Sequence, residues 1–149
     1  MMLERKQDTP KPLVRVHGVR IIDRLIDACL AAGINEIYIV RGYLGELFDQ
    51  LLYKYPMIKF LENPVYNEVN NISSSLVARY MLSNAYVFEA DLLISNPAII
   101  KKYHYTSDFL GIKKERSDDW CCCAANYLQL LKSDYPQLNK EKSVGLFKI

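Results

Sequence analysis

The sequence predicts a layered α/β domain with a mostly parallel sheet. Apolar residues recur at three- and four-residue steps in some segments and run almost unbroken over four residues in others, and the two patterns alternate along the chain. With 149 residues, half of them apolar, the chain is long enough for one domain with a core and short for two, so a single domain over residues 1–149 is expected.

Ile21, Ile22, Leu25, Ile26, Cys29 and Ala32 share a helical face, and Gly33 follows where a left-handed residue closes a helix; the first helix is expected over about residues 20–32. Ile37-Tyr38-Ile39-Val40 is β-branched and nearly continuous in its apolarity, the signature of a parallel strand covered on both faces. Leu44, Leu47, Phe48, Leu51 and Leu52 repeat the helical spacing, and Pro56 closes that segment before a second strand at 58–61, giving a βαβ unit.

Asn71 or Ser73 is placed to cap a third helix carrying Leu76, Val77, Tyr80, Met81 and Leu82 on its inner side. A third strand, Tyr86-Val87-Phe88, ends directly at Glu89-Ala90-Asp91. After Pro97 a brief helical pattern, Ile99, Ile100 and Tyr103, leads to shorter strands expected at 109–112 and 120–125. The last thirty residues show no low complexity and no repeat, and no element is assigned to them.

Nineteen Lys and Arg against seventeen Asp and Glu give a formal charge of +2, an ordinary solvated surface that argues for neither a nucleic-acid nor a membrane partner. No stretch approaches the ~20 apolar residues of a bilayer span, and Met-Met-Leu-Glu-Arg-Lys-Gln-Asp lacks the apolar core of a signal peptide, so a cytoplasmic protein is expected. Cys29 and the consecutive Cys121, Cys122 and Cys123 lack the spacing of a zinc knuckle or redox pair and read as reduced core thiols.

In an open parallel sheet, ligands bind beyond the carboxyl ends of the strands. Val40-Arg41-Gly42-Tyr43, Glu62-Asn63-Pro64 and Glu89-Ala90-Asp91 each leave such an end. Mg²⁺ takes one or two carboxylates beside phosphate oxygens, which makes Asp91 the first candidate for a metal-holding residue. Asn63, Tyr66, Asn70, Asn71 and Ser74 form a polar cluster ahead of the third helix. Amides there suit either ligand recognition or turn and capping chemistry, with Asn71 the leading candidate for ligand contact.

Taken in order, Thr-Pro-Lys-Pro-Leu-Val-Arg-Val at 9–16, Val40-Arg41-Gly42-Tyr43, Asn63-Pro64-Val65-Tyr66, Asn70-Asn71-Ile72 and Glu89-Ala90-Asp91 resemble the nucleoside-triphosphate transferases, or nucleotidyltransferases. Within that group, which also holds sugar-phosphate nucleotidylyltransferases, the pattern is most similar to the bacterial CTP:phosphocholine cytidylyltransferases over roughly residues 9–120.

The resemblance implies a three-layer, Rossmann-like fold and transfer of a nucleotidyl group, CMP from CTP being favoured, to a phosphorylated small molecule such as phosphocholine, with Mg²⁺ as cofactor and pyrophosphate released. It assigns the metal to Asp91 and charge neutralisation beside the α-phosphate to Lys11, both as catalytic groups. It assigns substrate binding to Gly42, Tyr43, Asn63, Asn71, Ser74 and Trp120. Trp120 follows Asp118 and Asp119 as an acidic-aromatic pair does in those enzymes, a cradle suited to a quaternary ammonium, although a core aromatic at a strand start is the favoured reading of the residue itself and relatives often carry Glu where Asp119 stands.

The family's Gly-Xaa-Gly-Xaa-Xaa-Arg loop has no counterpart here, since the first glycine is Gly18. The domain is therefore expected to be incomplete at both ends, with its first strand missing from between strands 37–40 and 86–88. Those two strands would face each other with unpaired edges unless they close together or borrow a strand, so the isolated chain is expected to be poorly soluble, rearranged or partner-dependent. Besides an active enzyme, the sequence admits an inactive remnant and a module that binds nucleotide without turnover. It sets no oligomeric state.

Overall fold

The computed structural model describes residues 9–68, 72–105, 107, 140–141 and 144–148, the last two segments by backbone alone. Two compact units are present, one built from Met1–Lys102 with Glu141–Ile149 and the other from Tyr103–Lys140. In the first unit a short hairpin, β1 (Arg15–Val16) and β2 (Val19–Arg20), leads into helix α1 (Ile21–Ala31), then β3 (Glu36–Arg41), β4 (Lys59–Glu62), helix α2 (Ile72–Val77) and β5 (Ala85–Glu89). Two further strands, β6 (Tyr103–His104) and β7 (Lys140–Glu141), form a small sheet of their own, and β8 is Val144–Lys148.

The main sheet has four strands in the order β4-β3-β8-β5, every pair parallel. Ile37 and Ile39 of β3 pack with Ile22, Leu25, Ile26 and Cys29 of α1 in one core cluster, while Tyr38 and Val40 pack with Ala78 in another. Alternate residues of one strand thus serve opposite faces, as the unbroken apolar run predicted. Gly33, with φ of +81°, reverses the chain between α1 and β3, and Ile34 N–H donates to Cys29 O at 2.9 Å. The helix is one residue shorter at each end than expected because Arg20 belongs to the β hairpin and Ala32 to the turn.

Residues Gly45–Tyr53 wind as a 3₁₀ helix, not an α-helix. With three residues per turn, positions three apart eclipse, so Gly45, Phe48 and Leu51 form the buried ridge and Leu52 is left 37% exposed.

A larger correction concerns α2. Of the expected inner face, Val77 and Met81 pack half-buried against Tyr38, Val40 and Ala78, but Leu76 is 61% and Tyr80 78% exposed, Leu82 is exposed too, and Ser73 and Ser74 are buried instead. The helix stops at Val77 and a 3₁₀ turn, Arg79–Met81, follows. Its polar edge points inward because a buried amide, described below, is there to meet it.

The slot between β3 and β5 is filled by β8, which comes from the stretch to which the sequence reading assigned no element. Of the alternatives of closing together or borrowing a strand, the chain adopts the second and lends the strand itself. The strands expected at 109–112 and 120–125 lie outside the described residues, as does Asn71, one of the two residues expected to cap the third helix. Among the described residues no helix is long and apolar enough to cross a membrane.

Candidate functional site

Because β3, β4, β5 and β8 all run the same way, Arg41, Glu62, Glu89 and Lys148 end on one edge of the sheet. Arg41 stands opposite Glu62, and Val40 and Glu89 flank Lys148 from either side. The turns carrying Gly42-Tyr43, Asn63 and Asp91 therefore leave from one rim. With β8 between them, β3 and β5 are held about 9.5 Å apart, two inter-strand spacings.

At Gly42 the backbone passes so close to Tyr66 that a Cβ built there would lie 2.6 Å from the Cβ and Cγ of that tyrosine. Tyr43, the next residue, tilts its ring toward Tyr66 at 6.4 Å between centroids, and both rings remain accessible. An exposed aromatic pair thus tops the β3 turn. Nothing in the local sequence signals the Gly42–Tyr66 approach, which joins residues 24 positions apart.

Asn63 is 5% exposed and fully engaged. Its backbone N–H donates to Arg41 O at 2.9 Å, its side-chain Oδ1 accepts from Val65 N–H at 3.2 Å, and its Nδ2 donates to Ser73 Oγ at 2.9 Å and Ser74 Oγ at 3.2 Å. One residue thereby pins the end of β3, the turn after β4 and the first turn of α2. Asn63 and Ser74, both expected to touch ligand, spend these hydrogen bonds on each other and on the fold. Beside them lies an open apolar hollow of about 400 Å³ lined by Val65, Ile72, Ser73, Ser75 and Leu76.

Nothing in the residues next to Arg41 in the sequence marks what it does at the end of β3. Its Nε donates to Glu62 Oε1 at 2.6 Å, its Nη1 to Asp49 Oδ1 and to Gly45 O at 3.0 Å, and its guanidinium lies 4.1 Å above the Phe60 ring. Burial works against its charge, but the hydrogen bonds to Asp49 and then Glu62 outweigh that and hold it firmly protonated. It is a positioning residue that latches the 3₁₀ segment to the sheet edge.

Asp91 is exposed in the turn after β5, a turn closed by Leu92 N–H donating to Glu89 O at 3.1 Å and anchored by the buried Ala90. Among the described residues its carboxylate has no ion-pair partner, unlike Asp49 and Glu62. Lys11 opens a 3₁₀ turn, Lys11–Leu13, and is exposed. Val14 N–H donates to Lys11 O and Ile21 N–H to Val14 O, each at 3.1 Å, which ties Lys11 to the start of α1. Since α1 returns into β3 through a tight turn, its start lies toward the same carboxyl edge.

The support beneath the rim is a polar seam between α1 and the 3₁₀ segment. Arg20 Nε pairs with Asp23 Oδ2 at 2.9 Å and its Nη1 donates to Gln50 Oε1 at 3.0 Å, while Tyr55 OH donates to Asp27 Oδ1 at 2.8 Å. Burial, then that hydrogen bond to Asp27, pushes the Tyr55 phenol far above its ordinary range. Cys29 is wholly buried, and burial pushes its thiol up to about 12, the inert core thiol that was expected. Asn71 and Trp120 lie outside the described residues.

No protein-family model matches the chain. It is 40% identical over 115 residues to 2-aminoethylphosphonate cytidylyltransferase of Lancefieldella rimae, covering 75% of this chain and 47% of that one. It is 29% identical over 140 residues to choline-phosphate cytidylyltransferase of Haemophilus influenzae, covering 94% of this chain and 60% of that one. Among solved structures it matches CTP:phosphocholine cytidylyltransferase from Streptococcus pneumoniae with a TM-score of 0.59 and 33% identity, over 67% of this chain and 45% of that one. The chain spans about half the length of the curated relatives it matches.

Proposed function

We propose, on the premise that this chain belongs to the nucleotidyltransferase family near its CTP:phosphocholine cytidylyltransferases, that the rim formed by the β3, β4 and β5 turns binds CTP and transfers CMP to a phosphorylated small alcohol. The observation supporting this reading is the arrival of Gly42-Tyr43, Asn63 and Asp91 at one carboxyl edge, in a chain whose relatives are cytidylyltransferases. Phosphocholine is the first acceptor to try, from the resemblance. The spacing of the four cysteines, which makes no zinc knuckle or redox pair, fits work in the cytoplasm.

In this reading an acceptor phosphate oxygen attacks the α-phosphorus of CTP, a P–O bond forms, and the bond to pyrophosphate breaks. Such a step needs positioning and charge neutralisation more than covalent help. Lys11 offsets the negative charge that grows at the α-phosphate. Asn63 and Ser74 serve by fixing the turn, Gly42 brings backbone close to the ligand, and Tyr43 offers a ring face to the base. Asn71 and Trp120 keep the substrate-binding roles that the resemblance gives them.

Asp91 is the residue to hold Mg²⁺. Among the described residues no group of three or more His, Cys, Asp or Glu side chains gathers as a metal cage. A single free carboxylate at a strand end still fits, because Mg²⁺ is commonly held by one or two carboxylates with phosphate oxygens and water completing the shell. When bound, it would draw charge from the departing pyrophosphate.

Calorimetry with CTP and Mg²⁺, run beside a pyrophosphate-release assay with phosphocholine or a sugar phosphate, tests the reading. Binding with release on phosphocholine is the expected result. Binding without release on any acceptor would make the chain a nucleotide-binding module, and no binding at all would sink the reading.

A further inference from the structure

We propose that the space between β3 and β5 is a strand-binding slot, filled here by the chain's own Val144–Lys148 and able to accept the same segment from a second copy of the chain. β3 and β5 do not pair with each other; each of the five residues of β8 has a register partner on both. Remove β8 and two rows of backbone N–H and C=O groups face one another across a gap of one strand, the geometry that captures an added strand.

β5 also has contacts that do not involve β8. Phe88 and Ala90 at the end of β5 share one core cluster with Ile22, Leu25, Ile26 and Cys29 of α1 and with Ile37 and Ile39 of β3. Tyr86 OH donates to Lys101 O at 2.8 Å and accepts from Lys101 N–H at 3.0 Å, which ties β5 to the chain that follows it. Among the described residues, β5 is thus tied to the core beneath α1 and to the chain after it, as well as to β8.

β8 begins 54 residues after β5 ends, counting 90–143. A flexible connection of that length would give the chain's own strand an effective concentration of about millimolar order. Parallel pairing across such a separation also forms late in folding. A second copy present at comparable concentration while the slot is open offers an identical strand, and exchange preserves every backbone pairing.

The test refolds the full chain from denaturant at about 10 µM and at about 1 mM, below and near that effective concentration, and measures mass by light scattering after gel filtration. Monomer at the low concentration, with a dimer at the high one that persists on dilution, is expected. Monomer at both overturns the proposal.

A labelled peptide of residues 143–149 identifies the contact: wild-type chain refolded with excess peptide should retain it and lose the dimer, and Leu146→Pro, which removes one β8 N–H from the ladder, should bind it without refolding. Should Leu146→Pro fail to fold, the wild-type refolding arm decides alone. A dimer that forms undiminished in excess peptide overturns the proposal.

Discussion

The ring of Tyr66 stands where a β-carbon on residue 42 would have to be, 2.6 Å from the nearest two atoms, so glycine at 42 is required by a close approach and not by a left-handed backbone. The Tyr66 atoms concerned include Cβ and Cγ, near the root of the side chain, which cannot swing clear as a flexible tip would.

Gly42→Ala should therefore be destabilised by about 1–3 kcal/mol, the usual cost of overpacking, and should bind CTP more weakly. Tyr66→Gly, which removes the β-carbon along with the ring, should restore much of the stability in the double variant, since the two positions share one clash. Urea titration of the four chains of this cycle checks it; additive effects would contradict the geometry.

Asn63→Ala leaves Ser73 and Ser74 without their buried donor and frees the turn after β4. A loss of about 2–3 kcal/mol is expected, near the upper end for an unsatisfied buried polar group, because several bonds go at once. Ser74→Ala removes only the longer bond and should cost about 1 kcal/mol. Equilibrium unfolding separates the two.

Asp91→Asn and Lys11→Met alter exposed residues and should leave stability within about 0.5 kcal/mol of wild type. Pyrophosphate release should fall at least about tenfold in each if the proposed roles hold, a transition-state loss of about 1.4 kcal/mol or more. Titrating Mg²⁺ against CTP binding should show a weakened metal dependence for Asp91→Asn alone.

Arg41→Lys keeps the charge and loses the fork that reaches Glu62, Asp49 and Gly45 together. The two carboxylates are 59% and 63% exposed, so solvent screening holds the loss of global stability to about 1 kcal/mol or less. Hydrogen exchange should nevertheless quicken in residues 45–53, which the latch fixes to the sheet edge.

Stability should decline in alkali. The Cys29 thiol has an ordinary value of 9.0 and is raised to about 12 in the fold, so the native chain holds a proton that the unfolded chain releases. The resulting stabilisation is fully present below pH 9 and is lost as pH rises toward 12, with Tyr55, also raised, acting in the same direction. Cys29→Ala should lower stability at neutral pH through lost packing yet flatten its fall between pH 9 and 12, as urea midpoints across that range would reveal.

Strands β3, β4 and β5 and helix α1 were legible because each is signalled within a window of a dozen residues: an unbroken β-branched run, or a three-and-four repeat ended by Gly33. The three strand-end turns were legible for the same reason, since parallel strands put all their carboxyl ends on one edge. The face of α2 was misread because apolar spacing at Leu76 and Tyr80 outweighed, on paper, an inward polar edge that exists only to meet Asn63. Arg41 gave no local sign of being a latch, because its partners lie at Gly45, Asp49 and Glu62.

The sequence by itself determined that α1, β3, β4 and β5 form, and that the ends of those strands carry polar turns, because those properties follow from backbone propensity and the burial of nearby side chains. Only the tertiary structure decided that Val144–Lys148 is an interior strand of the sheet, between β3 and β5, that residue 42 must yield to Tyr66, and that Asn63 is spent on Ser73 and Ser74. Each of those is a contact between residues distant along the chain, chosen by competition among partners that no short window contains.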